Sequence, residues 1–167
     1  MPMPPLIRWA RALSWACRSK PVTTGTQSSG HVILHATCVA HSGRAVLIRG
    51  ASGRGKSGLA LQLLALGAGL VSDDRTRVWV AEGCIMADAP ETIRGKIEAR
   101  GMGILKIPSS GPQPLALIVD LDAETTERMP SLTHADLLGQ SVPLVKKADH
   151  AHFPAAVLLY LIHGTLI

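Results

Sequence analysis

The segment with the clearest chemistry is a glycine-rich octapeptide between two apolar stretches. It reads Gly50-Ala51-Ser52-Gly53-Arg54-Gly55-Lys56-Ser57 and fits the pattern G-x-x-x-x-G-K-[ST] at every fixed position. Glycines let the backbone curl so that several N–H groups approach one anion, because no Cβ intervenes. A helix starting at its end would add its positive dipole end. We call Gly50–Ser57 the phosphate loop and expect it to bind a nucleotide, with Lys56 on the β- and γ-phosphates and Ser57 on Mg²⁺.

Phosphoryl transfer also needs a group that holds the metal and a group that orients or deprotonates the acceptor. One candidate is Asp120, which follows the apolar run Leu115–Val119. The other is the pair Asp73-Asp74, which follows the next predicted strand after the helix and should emerge at the same sheet edge as the loop. Two adjacent carboxylates can divide the work, one on the metal side and one as a base. Both sites also have ordinary turn composition, and the residues alone leave the choice open.

The elements that must position these residues follow from apolar periodicity and turn signals. Strand, loop, helix and strand, followed by several further strands, indicate an α/β domain with a mixed sheet. We predict strands over 32–40, 45–48 and 70–71, a helix over 58–66 that stops at Gly67, a hairpin of 77–81 with 84–87, an apolar strand within 97–107 after its glycines, a strand over 115–119 that ends at Asp120, a short helix opened by Pro130, and a closing helix over 155–163.

Composition excludes several classes of protein. A chain of 167 residues with 47% hydrophobic and 17% charged residues predicts one folded domain rather than extensive disorder. Only 3% of the residues are aromatic and no nucleic-acid motif is present, so we expect no nucleic-acid partner. No apolar run approaches the roughly 18 residues of a membrane span, and no C-x-x-C pair suggests zinc.

The net charge of +5 is unevenly distributed along the chain. Up to position 72 there are eight Lys and Arg and no acidic residue. Such a balance suits a phosphate-bearing ligand, although it equally fits a weakly charged half with a basic tail. We expect residues 1–30 to be a basic, disordered leader and residues 31–167 to be the catalytic domain.

Four segments, taken in order, resemble the catalytic domain of the HPr kinase/phosphorylase family. They are His35-Ala36, the phosphate loop, Leu70-Val71-Ser72-Asp73-Asp74, and Ile97-Glu98-Ala99-Arg100-Gly101-Met102-Gly103-Ile104-Leu105. The last is similar to the family's Glu-x-Arg-Gly-x-Gly-Ile signature. The separations agree as well, with 21 residues from His35 to Lys56 and 18 from Lys56 to Asp74. The resemblance implies a P-loop domain with a mixed β-sheet, related to the HPr kinase C-terminal domain.

The resemblance also implies a role for each matched residue. Lys56 would contact the transferred phosphoryl group, and Asp74 would take the proton of the target serine and return it in phosphorolysis. His35 would tune Asp74. The metal ligands would be Ser57 and Glu98, with the neighbouring Asp73 on the metal side. Arg100 belongs to the signature loop, and a family arginine further along corresponds to Arg128.

At the level of the whole protein, the family implies an ATP- and Mg²⁺-dependent serine kinase acting on HPr, the phosphocarrier of a sugar phosphotransferase system. It further implies reversal by inorganic phosphate, a hexameric assembly, a cytoplasmic location and the short form of the enzyme. Two departures stand out: Gly58 replaces an acidic residue after the loop serine, and Ser141–Phe153 does not match the family's loop for dephosphorylation. The competing functions are a P-loop ATPase or GTPase switch that uses Asp120 for its metal, and a small-molecule kinase.

Overall fold

The computed structural model describes residues 30–164. Those residues form eleven strands, two α-helices and a short 3₁₀ turn at Glu91–Ile93. The strands are β1 Val32–Leu34, β2 Ala36–His41, β3 Arg44–Arg49, β4 Gly69–Ser72, β5 Thr76–Ala81, β6 Cys84–Asp88, β7 Lys96–Ala99, β8 Gly103–Lys106, β9 Gln113–Glu124, β10 Thr133–Leu137 and β11 Gln140–Lys147; the helices are α1 Lys56–Ala65 and α2 Phe153–His163.

Nine of the strands form one mixed sheet, which confirms the predicted α/β class with a mixed sheet. Strands β1, β5, β6, β9, β3, β2 and β4 follow one another across it. The long strand β9 pairs with β6 at its start and with β11 further along, and β11 in turn pairs with β10. Strands β3, β9 and β11 run parallel, whereas β2 and β4 are antiparallel to their neighbours. The parallel strands therefore end at one edge, where the loops that follow them meet.

Alternation along the central strands divides the apolar core into two clusters, one on each side of the sheet. Val46 and Ile48 of β3 belong to the cluster under the two helices, whereas Ala45 and Leu47 belong to the opposite cluster. Helix α1 buries one stripe, which consists of Lys56, Leu59, Ala60 and Leu63. This spacing of three and four residues puts Lys56 on the buried stripe at the start of the helix.

Three predicted elements differ from the structure. The predicted strand over 32–40 is interrupted by a bend at His35, which separates β1 from β2. The predicted end at Asp120 is wrong, since β9 continues to Glu124 while it pairs with β11. The short helix at Pro130 is also wrong: residues 125–132 are an irregular link, too short and too exposed to bury a helical face.

Strand β8 matches the apolar strand predicted within 97–107, whereas its partner β7 and the strands β10 and β11 were not predicted. No helix among residues 30–164 has the length and apolar character needed to cross a membrane. The predicted basic leader lies, except for Gly30, outside the described residues.

Candidate active site

The phosphate loop connects β3 to α1 at the edge where the parallel strands end. Gly50 has φ 149° and Gly55, the helix N-cap, has φ 94°, so both adopt backbone conformations that residues with a Cβ rarely take. A Cβ on Gly50 would also lie 3.1 Å from the Cβ of Leu121 on β9. These glycines allow the chain to curl tightly against the sheet and to aim the N-terminus of α1 at the loop's concave side.

The side chain of Lys56 extends back across the phosphate loop toward its first residues. Its side chain is buried to 7% exposure, and Nζ donates hydrogen bonds to the carbonyl oxygens of Gly50 at 2.9 Å and Ala51 at 3.2 Å. A buried ammonium needs such acceptors, because desolvating an unpaired charge is costly. The loop carbonyls therefore hold the ammonium where an anion bound by the loop would meet it.

Asp73 lies beside the loop at the end of β4. It is buried, with 6% exposure, and its carboxylate accepts three hydrogen bonds. Oδ1 accepts from the hydroxyls of Ser57 at 2.7 Å and Thr37 at 2.8 Å, and Oδ2 accepts from the backbone N–H of Glu98 at 2.9 Å. All three donors are neutral, so the buried carboxylate is satisfied without a cation.

Asp74 is the exposed member of the pair. It has φ 65°, a left-handed conformation that Asp adopts more readily than most residues. The turn is closed by hydrogen bonds from the N–H of Arg75 to the carbonyl of Asp73 at 2.7 Å and from the Ser72 hydroxyl to the carbonyl of Arg75. Asp73 thus enters the interior, while Asp74 Oδ1 lies 3.0 Å from Nε2 of His35. The bend between β1 and β2 supplies that histidine.

The other predicted site residues, Glu98, Arg100 and Arg128, are exposed and make few contacts with the residues described above. Glu98 on β7 is tied to Asp73 through its backbone, and its side chain is exposed. Arg100 is exposed in the turn between β7 and β8, and Arg128 is exposed in the link after β9. Neither guanidinium makes a hydrogen bond or ion pair within residues 30–164, so the roles expected of these two arginines stay predictions.

Asp120 points to a different partner. Its Oδ2 accepts hydrogen bonds from Nε of Arg49 at 3.0 Å and Nη2 at 2.8 Å. Burial works to raise the pKa of this carboxyl, but the Arg49 hydrogen bonds and the N–H of Asp122 outweigh it and lower the pKa below the ordinary Asp value. Its negative charge is therefore committed to a guanidinium rather than to the Ser57 side of the loop.

Two contacts of the loop region were missed by sequence reasoning. Asp122 accepts the N–H of Ala51 at 2.9 Å and Nε of Arg54 at 3.0 Å, and these hydrogen bonds hold the pKa of Asp122 below its ordinary value. The motif Asp120-Leu121-Asp122 at the end of an apolar run was the available signal. Thr37 was the other omission, and its signal was a polar residue next to the apolar run 38–40 of the same strand.

The donor set around Ser57 fits a magnesium ion. A serine hydroxyl and a carboxylate oxygen 2.7 Å apart are both hard oxygen ligands, and Mg²⁺ is commonly held by one or two carboxylates together with substrate phosphates. Among the described residues no group of three or more His, Cys, Asp or Glu side chains converges as a metal cage. The arrangement therefore suits a metal that shares its coordination with a phosphate ligand.

Comparison with known proteins shows which family the sequence matches. The sequence model of the HPr Serine kinase C-terminal domain matches residues 26–112, just over half of the chain. All of the loop, the Asp73–Asp74 pair and Glu98 lie inside the match, whereas Asp120, Asp122 and α2 lie outside it.

Individual relatives agree with that match. The chain is 35% identical over 103 residues to HPr kinase/phosphorylase of Clostridium botulinum, covering 56% of this chain and 34% of the relative. It is 46% identical over 74 residues to the protein of that name from Caldicellulosiruptor bescii, covering 44% and 24%. The chain thus spans about a third or less of these relatives' lengths.

A solved structure supports the fold. The Hpr(Ser) kinase/phosphatase from Coxiella burnetii superimposes with a TM-score of 0.67 at 23% identity, covering 80% of this chain and 89% of that one. At this identity the likeness concerns the fold. Together with the family match, it shows that the chain belongs to the HPr serine kinase C-terminal domain family.

Proposed function

We propose that the protein is an ATP- and Mg²⁺-dependent serine kinase that phosphorylates the phosphocarrier HPr. The observation that carries the proposal is the adjacency of two contacts: Ser57 with Asp73 at 2.7 Å, and Asp74 with His35 at 3.0 Å. One carboxylate is buried beside the phosphate loop and the next is exposed toward an incoming substrate. Family membership supports the reaction class.

The chain's own residues divide the reaction between them. The loop's N–H groups and Lys56 hold the triphosphate, and the acceptor serine approaches Asp74 from solvent. As the serine oxygen bonds to the γ-phosphorus, Asp74 accepts the hydroxyl proton, and the bond from phosphorus to the bridging oxygen breaks with its electron pair leaving on ADP. His35 orients Asp74. Ser57 and Asp73, with Glu98 nearby, would hold the metal, which when bound neutralises charge on the phosphate oxygens.

Several expectations from the family remain predictions. These are reversal by inorganic phosphate, a hexameric assembly, a cytoplasmic location and roles for Arg100 and Arg128. The absence of a nucleic-acid partner is likewise a prediction.

The test is a transfer assay with purified HPr. The protein is incubated with γ-labelled ATP, Mg²⁺ and HPr, and we expect label on an HPr serine that acid-stable phosphate analysis and mass spectrometry locate. A matched reaction uses HPr in which the labelled serine is replaced by alanine, and should give no transfer. Release of inorganic phosphate with unlabelled HPr would instead support an ATPase switch and overturn the proposal.

A further inference from the structure

The start of β2 brings a buried hydroxyl to the edge of the sheet where the phosphate loop begins. Thr37 is the second residue of β2 and lies opposite Ile48 in the antiparallel pairing with β3, the strand that leads into the loop. Strand β4, which leads into Asp73, pairs with the other side of β2. Thr37 therefore lies between the strand that precedes the loop and the strand that precedes the buried carboxylate.

The apolar packing around Thr37 would suit a valine of nearly the same shape. Thr37 is fully buried, and because side chains alternate along a strand it shares a sheet face with Val39, a member of the apolar cluster under the helices. A buried hydroxyl is unfavourable unless it is hydrogen-bonded. The partner here is Asp73, whose Oδ1 accepts from Oγ1 of Thr37 at 2.8 Å. The hydroxyl therefore serves the carboxylate rather than the core.

The acceptor positions of Asp73 show what this hydrogen bond does. A carboxylate has about four lone-pair positions, two on each oxygen. Thr37 and Ser57 both donate to Oδ1, and the N–H of Glu98 donates to Oδ2. Within the described part of the chain, one position on Oδ2 is left for a further ligand. The three donors belong to β2, α1 and β7, so the carboxylate cannot rotate without breaking a hydrogen bond to one of these elements.

We propose that Thr37 is a positioning residue for the metal site. Its hydroxyl fixes the rotation of the Asp73 carboxylate, so that the open position on Oδ2 and the lone pairs of the Ser57 oxygen are available to one divalent cation. The inference rests on the proposed function, in which Ser57 and Asp73 hold the metal. Hydrogen-bonding partners behind a ligand typically contribute roughly 10–100-fold to metal affinity, because they keep the ligand oriented.

Direct measurement of metal binding separates positioning from packing. Mn²⁺, which electron paramagnetic resonance detects, is the probe for the Mg²⁺ site, and its affinity is measured for the full chain with ADP present. Thr37→Val removes the hydroxyl and keeps the branched shape, and Thr37→Ser restores the hydroxyl. The matched control is Thr76→Val, because Thr76 is equally buried and its hydroxyl donates at 2.8 Å to the carbonyl oxygen of Ala36 rather than to Asp73.

We expect Thr37→Val to bind Mn²⁺ about tenfold more weakly than the wild type and Thr37→Ser to recover most of the affinity. Each valine variant loses one buried hydrogen bond, so both melting temperatures should fall by about 2–4 °C, but Thr76→Val should bind Mn²⁺ as the wild type does. In steady-state transfer to HPr, Thr37→Val should raise the KM for Mg²⁺ and leave the KM for HPr unchanged.

An unchanged Mn²⁺ affinity in Thr37→Val would make Thr37 a packing residue and overturn the proposal. An equal loss of affinity in Thr76→Val would do the same, because the effect would then follow stability. If Thr37→Val does not fold, Thr37→Cys replaces it: a thiol is a weak donor, and wild-type affinity in that variant would contradict the proposal. A wild-type chain that binds Mn²⁺ with ADP but transfers no phosphate to HPr would instead overturn the proposed function, while the role of Thr37 in metal binding would stand.

Discussion

Two pairs of carboxylates flank the phosphate loop: Asp73 with Asp74 on one side, and Asp120 with Asp122 on the other. The groups that donate hydrogen bonds to Asp73 differ in charge from those that donate to Asp120 and Asp122. On one side, Asp73 accepts hydrogen bonds only from hydroxyls and a backbone N–H. On the other side, Asp120 and Asp122 accept from the guanidinium groups of Arg49 and Arg54. Neutral donors satisfy a carboxylate but leave its charge uncompensated, whereas a guanidinium neutralises it.

This difference in charge compensation suggests a metal-binding role for the Asp73 side and a structural role for the Asp120 side. An uncompensated negative charge beside a loop serine is what a divalent cation needs, so we infer that the Asp73 side holds the metal. The pairs on the Asp120 side attach β9 to β3 and to the loop, 71 residues away along the chain. They act as anchors that keep the loop against the sheet.

The largest expected difference between the two sides comes from neutralising the exposed base Asp74 in one variant and the anchor Asp120 in another. We expect Asp74→Asn to lower kcat/KM for HPr phosphorylation by about 10²–10⁴-fold, because a general base is lost. Asp120→Asn should retain most of the activity, since Asp120 pairs with Arg49. Steady-state kinetics with purified HPr measures both. Activity that survives Asp74→Asn but disappears with Asp120→Asn would reverse the assignment.

Neutralising Asp73 tests whether its charge serves a metal. In Asp73→Asn the amide oxygen can accept from the Glu98 N–H, and the amide NH₂ can donate to the hydroxyl oxygens of Ser57 and Thr37. We therefore expect an almost unchanged melting temperature but an increased Mg²⁺ requirement, by at least the roughly 10–100-fold typical of losing an outer-shell partner.

The comparison variant is Asp73→Leu, which abolishes the hydrogen bonds as well as the charge. Leaving the N–H of Glu98 without its partner should cost about 1–3 kcal/mol of unfolding free energy. Magnesium titrations of activity, together with thermal unfolding, separate the two effects. An Asn variant that unfolds as easily as the Leu variant, with an unchanged Mg²⁺ requirement, would make Asp73 a structural residue only.

The two sides of the loop also differ in how much of their structure could be predicted from the sequence. The phosphate loop and its helix were predictable because glycines, a lysine and an apolar run lie within a few consecutive residues. The residues alone did not order Asp73 and Asp74, and only the family resemblance put Asp73 on the metal side. Which carboxylate turns inward depends on the left-handed backbone of Asp74. The bend that delivers His35 was likewise hidden inside an apparently continuous strand.

The motif Asp120-Leu121-Asp122 was visible in the sequence, but the partners of these anchors could not be predicted from it. Arg49 and Asp120 meet because β3 and β9 pair in parallel with these two residues in register. No local periodicity encodes that pairing. The expected termination at Asp120 failed for the same reason, because β11 extends the ladder beyond it. Strand β9 therefore places Asp122 against Ala51, a contact that only the assembled sheet creates.

The pH dependence of stability offers a finer test of the anchors. A carboxyl with a lowered pKa stabilises the fold fully above its unfolded pKa of about 3.9 and loses that contribution as the pH falls through its folded pKa. The Asp120 contribution should thus be complete at pH 5 and disappear only in more acidic solution. Arg49→Met removes the main partner and, because the pair is half-exposed, should cost about 1 kcal/mol or less at pH 7.

Unfolding free energies of wild type and Arg49→Met, measured by urea denaturation from pH 7 to pH 2, check this expectation. The gap between the two proteins should hold steady down to about pH 4 and then close, because a protonated Asp120 gains little from Arg49. A gap that stays constant through pH 2 would show that Arg49 stabilises the fold by packing alone, and the anchor would not be electrostatic.

The smallest expected effect concerns Asp122 of β9, whose carboxylate accepts hydrogen bonds from Ala51 and Arg54 of the phosphate loop. Asp122→Asn is nearly isosteric and keeps an oxygen for the Ala51 N–H, so the melting temperature should move by less than about 2 °C. Removing a negative charge next to the loop should tighten magnesium tripolyphosphate binding by about twofold at low salt, and the gain should vanish at high ionic strength. Calorimetric titrations at two salt concentrations measure this. Weaker binding at both would mean that the carboxylate orders the loop more than it repels the ligand, so that the Asp122 side contributes shape to phosphate binding and the Asp73 side contributes charge.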